Sequence, residues 1–211
     1  DLVSNIRTTF SAIANLQDEA NRRLVSEVGV INGLTSQIET LNASISGIEG
    51  NGVTAADQRD QRDRLLQKLA EKISFQTVEQ DNGTVNVFLA NGFPLVAEST
   101  ARNLDFAVQP SFASGSVPPS LSGGTLGYIV YNYAESGPPA HVDLTQVISR
   151  GEGEVGGLLR IRGTNAPTNT SAFQASGALV EVAVRIEAIA RTLLTTVNET
   201  YLGGDRDPLT P

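Results

Sequence analysis

The first 48 residues carry a heptad pattern, and this pattern constrains the fold more than any other feature of the sequence. Apolar residues repeat every seven positions in two interleaved series that begin at Val3 and Ile6. Twelve of the fourteen positions are apolar, and the exceptions are Gln17 and Glu27. Spacings of three and four residues place these side chains on one face of a helix. We therefore predict a helix over residues 2–48.

The length of this helix decides the shape of the molecule. At about 1.5 Å per residue, residues 2–48 span roughly 70 Å. A compact globule of 211 residues would have a diameter of only about 40–45 Å, so the chain should be elongated around this helix. Gly29 and Gly33 each cost about 1 kcal/mol relative to Ala, which leaves a kink between them open. The apolar stripe itself either packs within the chain, as most such stripes do, or contacts another subunit.

Two further helices are predicted. The second follows a turn at Gly50–Gly52, where Thr54 and Asp57 have the spacing of an N-terminal capping box. Its body runs over residues 58–73. The last helix covers residues 179–201, where apolar residues again recur at helical spacing.

The segment between these helices has a period of two, which is typical of strands. Turn residues at 81–83 and 91–92 separate the first three strands, as in a β-meander. The predicted strands cover residues 74–80, 84–89, 93–97, 104–108, 128–133, 142–148 and 158–162. Residues 110–124 are rich in Ser, Gly and Pro and are predicted to form an exposed loop.

Together these elements predict an α+β fold. An elongated antiparallel helical bundle consists of the long N-terminal helix, the second helix and the C-terminal helix, and it carries an inserted β-rich domain. The bundle domain is discontinuous and comprises residues 1–73 and 166–211. The β-rich domain comprises residues 74–165.

The composition excludes several kinds of chemistry. The chain has no Cys and one His, so it can form no disulfide, no thiolate metal site and no two-His metal site. A net charge of −8 without a basic block argues against binding to nucleic acid or to an anionic membrane. No apolar run approaches the roughly 18 residues of a membrane span. Ser, Thr, Asn and Gln make up 59 of the 211 residues, which suits either a surface that packs against copies of itself or ordinary polar loops.

Two features that suggest catalysis or cofactor binding have a plainer interpretation. Residues 151–156 match G-x-G-x-x-G, but the residues after them look like a strand, so a turn is favoured over a dinucleotide site. His141 has no second residue with which to form a catalytic site. We predict no catalytic residue, no cofactor and no metal.

Acidic and basic residues alternate at the start of the second helix. The acidic ones recur every third residue at Asp57, Asp60 and Asp63. The basic ones between and after them are Arg59, Arg62 and Arg64. A metal site would need carboxylates without competing cations, so ion pairs on a solvated or an interface-forming face are favoured. The three arginines are our candidate interface residues.

Five segments of the chain together resemble one known family. They are residues 60–66 with Leu69 and Ile73, residues 78–87, residues 92–96, residues 153–159, and the closing helix with Leu179 and residues 197–199. Their order and spacing resemble the middle of the flagellar hook-associated protein 1 family. The resemblance covers most of residues 1–203 and is weakest over residues 104–148.

The resemblance implies a structural protein, not an enzyme, at the hook–filament junction of the bacterial flagellum, where filament assembly and hence motility need it. It implies an extracellular location and secretion through the flagellar type III apparatus. The implied partners are copies of the chain in a ring or helical layer, the hook protein, other hook-associated junction proteins, and an export chaperone bound through segments absent here. The chain has no Met and begins with Asp1, from which we expect an internal fragment without the coiled-coil or disordered ends that polymerise.

Two other classes of function remain as alternatives. In the first, the β-rich domain is an adhesion module on a helical stalk, and exposed tyrosines among Tyr128, Tyr131 and Tyr133 would favour it. In the second, a hydrolase, two carboxylates would face each other across a cleft. Glu152 and Glu154 are the only conspicuous pair, and they lie in a predicted turn.

Overall fold

The computed structural model describes residues 1–107, 121–122, 126–132, 141–164 and 177–202. Within these residues the chain forms five helices and seven strands. The helices are α1 (Leu2–Glu49), α2 (Ala56–Lys72), α3 (Thr145–Arg150), α4 (Glu154–Arg162) and α5 (Ala178–Leu202). The strands are β1 (Phe75–Glu79), β2 (Val85–Leu89), β3 (Pro94–Ala97), β4 (Thr100–Ala101), β5 (Leu104–Ala107), β6 (Tyr128–Asn132) and β7 (His141–Asp143). The predicted α+β class is confirmed.

Helix α1 is the spine of the molecule. It has 48 residues and is about 72 Å long at about 1.5 Å per residue. The side chain of Asp1 caps its first turn by accepting a hydrogen bond of 2.8 Å from the Val3 N–H. The chain stays helical through Gly29 and Gly33, where a Cβ atom would meet nothing within 4 Å. The helix predicted over residues 2–48 is therefore confirmed.

The shorter helices pack along α1 one after another. Arg59 near the start of α2 pairs with Glu49 of α1, whereas Lys72 at the end of α2 pairs with Glu27. The partner on α1 thus moves toward its N-terminus as α2 proceeds, so the two helices are antiparallel. Glu154, the first residue of α4, also pairs with Lys72. Helix α4 therefore begins along α1 at the point where α2 ends. Helix α5 contacts both α1 and α4.

The strands form two small antiparallel sheets. Strands β1 to β4 pair in sequential order, with Thr77 of β1 opposite Val87 of β2 and Val87 aligned with Val96 of β3. This is the predicted meander. Strands β5 to β7 form the second sheet, in which Tyr131 of β6 lies between the two edge strands.

One hydrophobic core joins the helices and the sheets. Leu24, Ile31 and Ile38 of the heptad stripe belong to the same buried cluster as Val87 of β2 and Ile129 of β6. The sheets therefore pack on the spine itself. The division into a helical domain of residues 1–73 and 166–211 and a β-rich domain of residues 74–165 stays a prediction.

Two of the predicted strands are wrong. Residues 158–162 lie in α4, and most of the strand predicted over residues 142–148 lies in α3. In α4, Val155 and Leu159 are both buried one turn apart, which is a helical period. Helix α3 starts where the Thr145 N–H donates a hydrogen bond of 2.8 Å to the Asp143 side chain. Apolar runs of five residues carry too little periodicity to separate strand from helix.

The predicted cap of the second helix is also wrong. Helix α2 begins at Ala56, and no side chain caps it from the position before. Instead, the Ala55 N–H donates a bond of 3.2 Å to Glu49 Oε1 at the end of α1. Because this acceptor comes from another helix, a local motif such as Thr54 with Asp57 could not reveal it.

The remaining predicted elements are confirmed as far as the described residues extend. These are the second helix, the closing helix and the strands at 74–80, 84–89, 93–97, 104–108 and 128–133. Almost all of the loop predicted at 110–124 lies outside the described residues, and so does Tyr133. The two-residue strand β4 was missed.

Candidate assembly surface

Two asparagines of α1 fasten the sheets to the spine. The Asn42 side chain donates to the Val85 carbonyl at 2.8 Å and accepts from the Val85 N–H at 3.1 Å. Asn32 makes the same pair of bonds with Leu104, at 2.8 and 2.9 Å. Each side-chain amide thereby makes the two backbone hydrogen bonds that a neighbouring strand would make with one residue of β2 or β5. Buried polar groups of this kind are costly when they lose their partners.

The N-terminal third of the spine has a related arrangement around Arg162, which is fully buried at the end of α4. The Gln17 amide donates to the Arg162 carbonyl at 3.0 Å and accepts from the Leu121 N–H at 2.8 Å. The side-chain oxygen Oδ1 of Asn21 accepts a hydrogen bond of 2.5 Å from Arg162 Nη1. Burial lowers the pKa of Arg162 to about 10. Gln17, which interrupts the heptad pattern, therefore holds the C-terminal end of α4 at a fixed position along α1.

The second interruption of the heptad, Glu27, belongs to a charge cluster where α2 ends and α4 begins. Lys72 Nζ lies 2.9 Å from Glu27 Oε2 and 2.6 Å from Glu154 Oε2, and Arg23 also pairs with Glu154. The contact with Glu27 is an ion pair without the geometry of a hydrogen bond. Hydrogen bonds from Lys72 and Arg23 lower the pKa of Glu154. These ion pairs therefore join the three helices α1, α2 and α4 at one point.

The glycine motif at residues 151–156 allows this close approach. Gly153 has a φ of +96°, and a Cβ there would lie 2.8 Å from the backbone carbonyl of Lys72. Only glycine fits both the conformation and the space. Residues 151–153 come before α4 and residues 154–156 form its first turn, so the strand predicted after the motif is wrong.

Arg62, one of the three candidate interface residues, lies inside the chain. Only 3% of it is exposed. Its Nη1 donates to the Gly83 carbonyl at 2.6 Å and lies 3.4 Å from Asn42 Oδ1. Burial lowers its pKa. Arg62 thus joins α2 to the turn before β2 and to the amide that holds that strand.

Arg59 is also engaged within the chain. It makes a bidentate contact with Glu49 through two bonds of 2.7 Å and a further bond of 2.5 Å with Glu79 of β1. The hydrogen bonds from Arg59 and from the Ala55 N–H lower the pKa of Glu49 to about 2. The turn at Gly83 lies against this pair, since a Cβ there would be 2.3 Å from Glu49 Oε2.

Arg64 differs from the other two arginines because it faces solvent. With Lys68 it lines an open groove of about 410 Å³ between α1 and α2, whose apolar part is Leu41 and Leu65. In the part of the chain that the structure describes, neither cation has an ion-pair partner. Of the three candidates, Arg64 alone has the exposure that an interface residue needs, and the interface role stays a prediction. Lys68, one turn further on, borders the same groove and was not among the residues predicted from the sequence.

The second half of α5 exposes apolar side chains. The exposed fraction is 64% for Leu194, 49% for Val197 and 82% for Tyr201, all in the last turns of α5. Among the described residues, the ion pairs of α5 join residues of that helix to each other, as Glu187 and Arg191 do. The wide apolar face predicted for the closing helix is therefore packed only over its first half.

The two tyrosines of the adhesion hypothesis that lie among the described residues are buried. Tyr128 and Tyr131 are 6% and 2% exposed, and the Tyr131 hydroxyl donates to the Pro94 carbonyl. Among the described residues, no three His, Asp or Glu side chains are grouped as a metal would require. No described helix combines the length and the apolar character needed to cross a membrane.

A long spine, small sheets clamped to it and surfaces open at its ends define a class of elongated structural domain. Comparison with known proteins identifies the family. The family model of the flagellar hook-associated protein FlgK helical domain matches residues 1–206. The chain belongs to this family.

Individual relatives agree with that assignment. Flagellar hook-associated protein 1 of Escherichia coli (strain K12) is 32% identical over 163 residues, which are 76% of this chain and 27% of that protein. Its counterpart in Salmonella typhimurium is 39% identical over 114 residues, which are 53% of this chain and 20% of that protein. The solved structure of the flagellar hook junction protein FlgK from Burkholderia pseudomallei matches with a TM-score of 0.59 and 28% identity, over 75% of this chain and 26% of that one. The chain thus spans less than a third of the length of these relatives.

Proposed function

We propose that this chain is the helical part of a structural subunit at the junction between the hook and the filament of the bacterial flagellum, and that filament assembly requires it. The observation that carries the proposal is the family match over residues 1–206. The likeness to a flagellar hook junction protein supports it. The family is one of structural flagellar proteins, so we assign no catalytic step to the chain.

The physical construction of the domain supports the same role. A junction subunit transmits force between two larger structures, and a continuous helix of 48 residues is a stiff element for that purpose. The amide pairs of Asn32 and Asn42 hold both sheets to this helix at fixed positions. Copies packed side by side in a ring or helical layer would therefore move as rigid units.

The partners and location follow from the same proposal. We infer contacts with copies of the chain, with the hook protein and with other hook-associated junction proteins. We also infer export through the flagellar type III apparatus with an export chaperone, and an extracellular position. Of the predicted interface residues, we keep Arg64 as the one that meets another molecule, because Arg59 and Arg62 are occupied within the chain.

The test is genetic. A strain without the gene is expected to make hooks, to lack filaments and to release unpolymerised filament subunit into the medium. The intact gene supplied in trans should restore filaments and swimming. Normal filaments on the deletion strain, seen by electron microscopy, would overturn the proposal.

A second experiment separates the contributions of the three arginines. In the complementation assay, Arg62→Glu should fail through loss of folded protein, measured as loss of the full-length band in the exported fraction. Arg64→Glu should leave the protein level unchanged. If Arg64→Glu also supports normal filaments, Arg64 is not an interface residue, while the proposed junction role is unaffected.

A further inference from the structure

The outer face of α2 carries charges that the chain does not neutralise. Asp57 and Asp60 lie toward its N-terminal end, and Arg64 and Lys68 follow at intervals of four residues. All four are exposed. Within the described residues none of them takes part in an ion pair, although Asp60 and Arg64 have the i,i+4 spacing that permits one.

The two basic residues form an unfavourable pair on their own. Arg64 and Lys68 are one turn apart on the same face and border the groove between α1 and α2. Like charges at this spacing destabilise a helix by a few tenths of a kcal/mol. An acidic surface laid along the groove would remove this repulsion, and Leu41 and Leu65 offer it an apolar contact.

The acidic surface that fits is α2 of a second copy. In an antiparallel pair of identical helices, residue i of one copy faces residue j of the other, and j then faces i. The pairs Asp57–Lys68 and Asp60–Arg64 have sums of residue numbers that differ by one, so a single antiparallel register satisfies both. The two-fold axis then passes at the level of Arg62 and Asp63, about one residue from the exposed Gln61, and four ion pairs form across it.

We propose that two copies of this chain associate through α2, antiparallel and in this register, with each helix against the groove of the other copy. The contact closes after two copies, so it cannot by itself extend into a ring or layer. It is an additional contact of the subunit and does not depend on the proposed function. One helix and one groove per copy fall below the size of stable interfaces, about 1,200–2,000 Å², so the dimer is weak and is governed by charge.

Charge-reversed variants test the register. In the first variant, the wholly basic one, Asp57→Lys and Asp60→Lys make all four of these positions basic. In the second, the wholly acidic one, Arg64→Glu and Lys68→Glu make all four acidic. Each variant alone should be monomeric in sedimentation equilibrium at up to about 1 mM protein, whereas the wild type dimerises. An equal mixture of the two should dimerise again as a heterodimer.

The first variant separates this contact from general charge repulsion. Its net charge is −4 instead of −8, so repulsion between whole molecules is reduced and a non-specific effect would increase its association. The proposal predicts the opposite. A control with the net charge of the second variant, Arg22→Glu with Arg185→Glu, leaves the α2 face intact and should still form more dimer than the second variant.

A disulfide measures the same register independently, because the chain has no cysteine of its own. Gln61→Cys lies close to the expected axis and should oxidise to a covalent dimer at least tenfold faster than Gln67→Cys on the same helix. All these positions are exposed, and circular dichroism checks that each variant folds. The proposal is overturned if the wild type is monomeric throughout, if the wholly basic variant self-associates like the wild type, or if the mixed variants fail to associate.

Discussion

The two ends of the spine have the same heptad spacing but differ in what surrounds them. From Leu24 to Ile45 the stripe is covered by α2, α4 and both sheets, and ion pairs and amides there join different elements. Toward the N-terminus of α1 and in the second half of α5 the apolar residues are exposed, and the ion pairs of α5 stay within one helix. The comparison teaches that periodicity predicts a helix and its apolar face, whereas the partner of that face depends on the rest of the fold.

Removing an apolar side chain from a covered and from an exposed helix segment should give the largest contrast. Leu24→Ala deletes a fully buried side chain and should lower the free energy of unfolding by about 3–5 kcal/mol. Leu194→Ala is its matched control, since the side chain is mostly exposed, and should change the value by less than about 0.5 kcal/mol. Urea denaturation of both variants measures this. Equal losses would show that the two segments are packed alike.

Breaking one amide clamp should have the next largest effect. Asn42→Leu leaves the N–H and carbonyl of Val85 and the Glu98 carbonyl without their partner, with an expected loss of about 2–4 kcal/mol. Asn51→Ala removes one exposed hydrogen bond to the Gly47 carbonyl and is the control, with a loss below about 1 kcal/mol. If Asn42→Leu is as mild as the control in denaturant titrations, the clamps do not hold the sheet.

Stiffening the spine should stabilise it slightly. Gly33→Ala places a methyl group where nothing lies within 4 Å, and alanine is the better helix former, so we expect a gain of about 1 kcal/mol. Gly153→Ala is the contrasting change, because its positive φ and the contact with Lys72 both oppose a side chain. Thermal unfolding should show opposite signs for the two substitutions, and a loss from Gly33→Ala would mean that another molecule or segment needs that space.

The smallest effect concerns pH. The pKa of Glu49 is about 2 in the folded chain against an ordinary value of 4.5, because Arg59 and the Ala55 N–H bond the carboxylate. Its contribution to stability is therefore complete above pH 4.5 and is lost as the pH falls toward 2. Glu49→Gln should unfold more easily than the wild type at pH 7, and the difference should shrink between pH 4.5 and pH 2. A constant difference across that range would contradict the assigned role of Glu49.

The sequence predicted those features whose signal is local. A long heptad series, turn residues at 81–83 and 91–92, and alternation over five or more residues were enough for α1, α2, α5 and five of the strands. The two short helices α3 and α4 were missed because their apolar runs are too short to separate a helical from a strand period, and because their starts depend on Asp143 and on Gly153.

The candidate site was predicted less well for a related reason. The arginines at positions 59, 62 and 64 look equivalent along the chain, but their environments differ because of Glu49 and Asn42, which are ten and twenty residues away. The same limit applies to Gln17 and Glu27, which appeared as interruptions of the heptad and are in fact its contacts with Arg162 and Lys72. Side chains whose partners lie far away in the sequence leave no pattern among neighbouring residues from which the contact could be predicted.

The central claim is that one end of the spine is closed by the chain itself and the other end is open. Hydrogen exchange of the backbone amides in the isolated chain tests it most directly, because it reports the free energy of opening residue by residue. The account predicts that residues 24–45 of α1 exchange only with global unfolding, and that residues 2–10 of α1, which are mostly exposed, exchange faster by orders of magnitude. Equal protection of the two segments would contradict it.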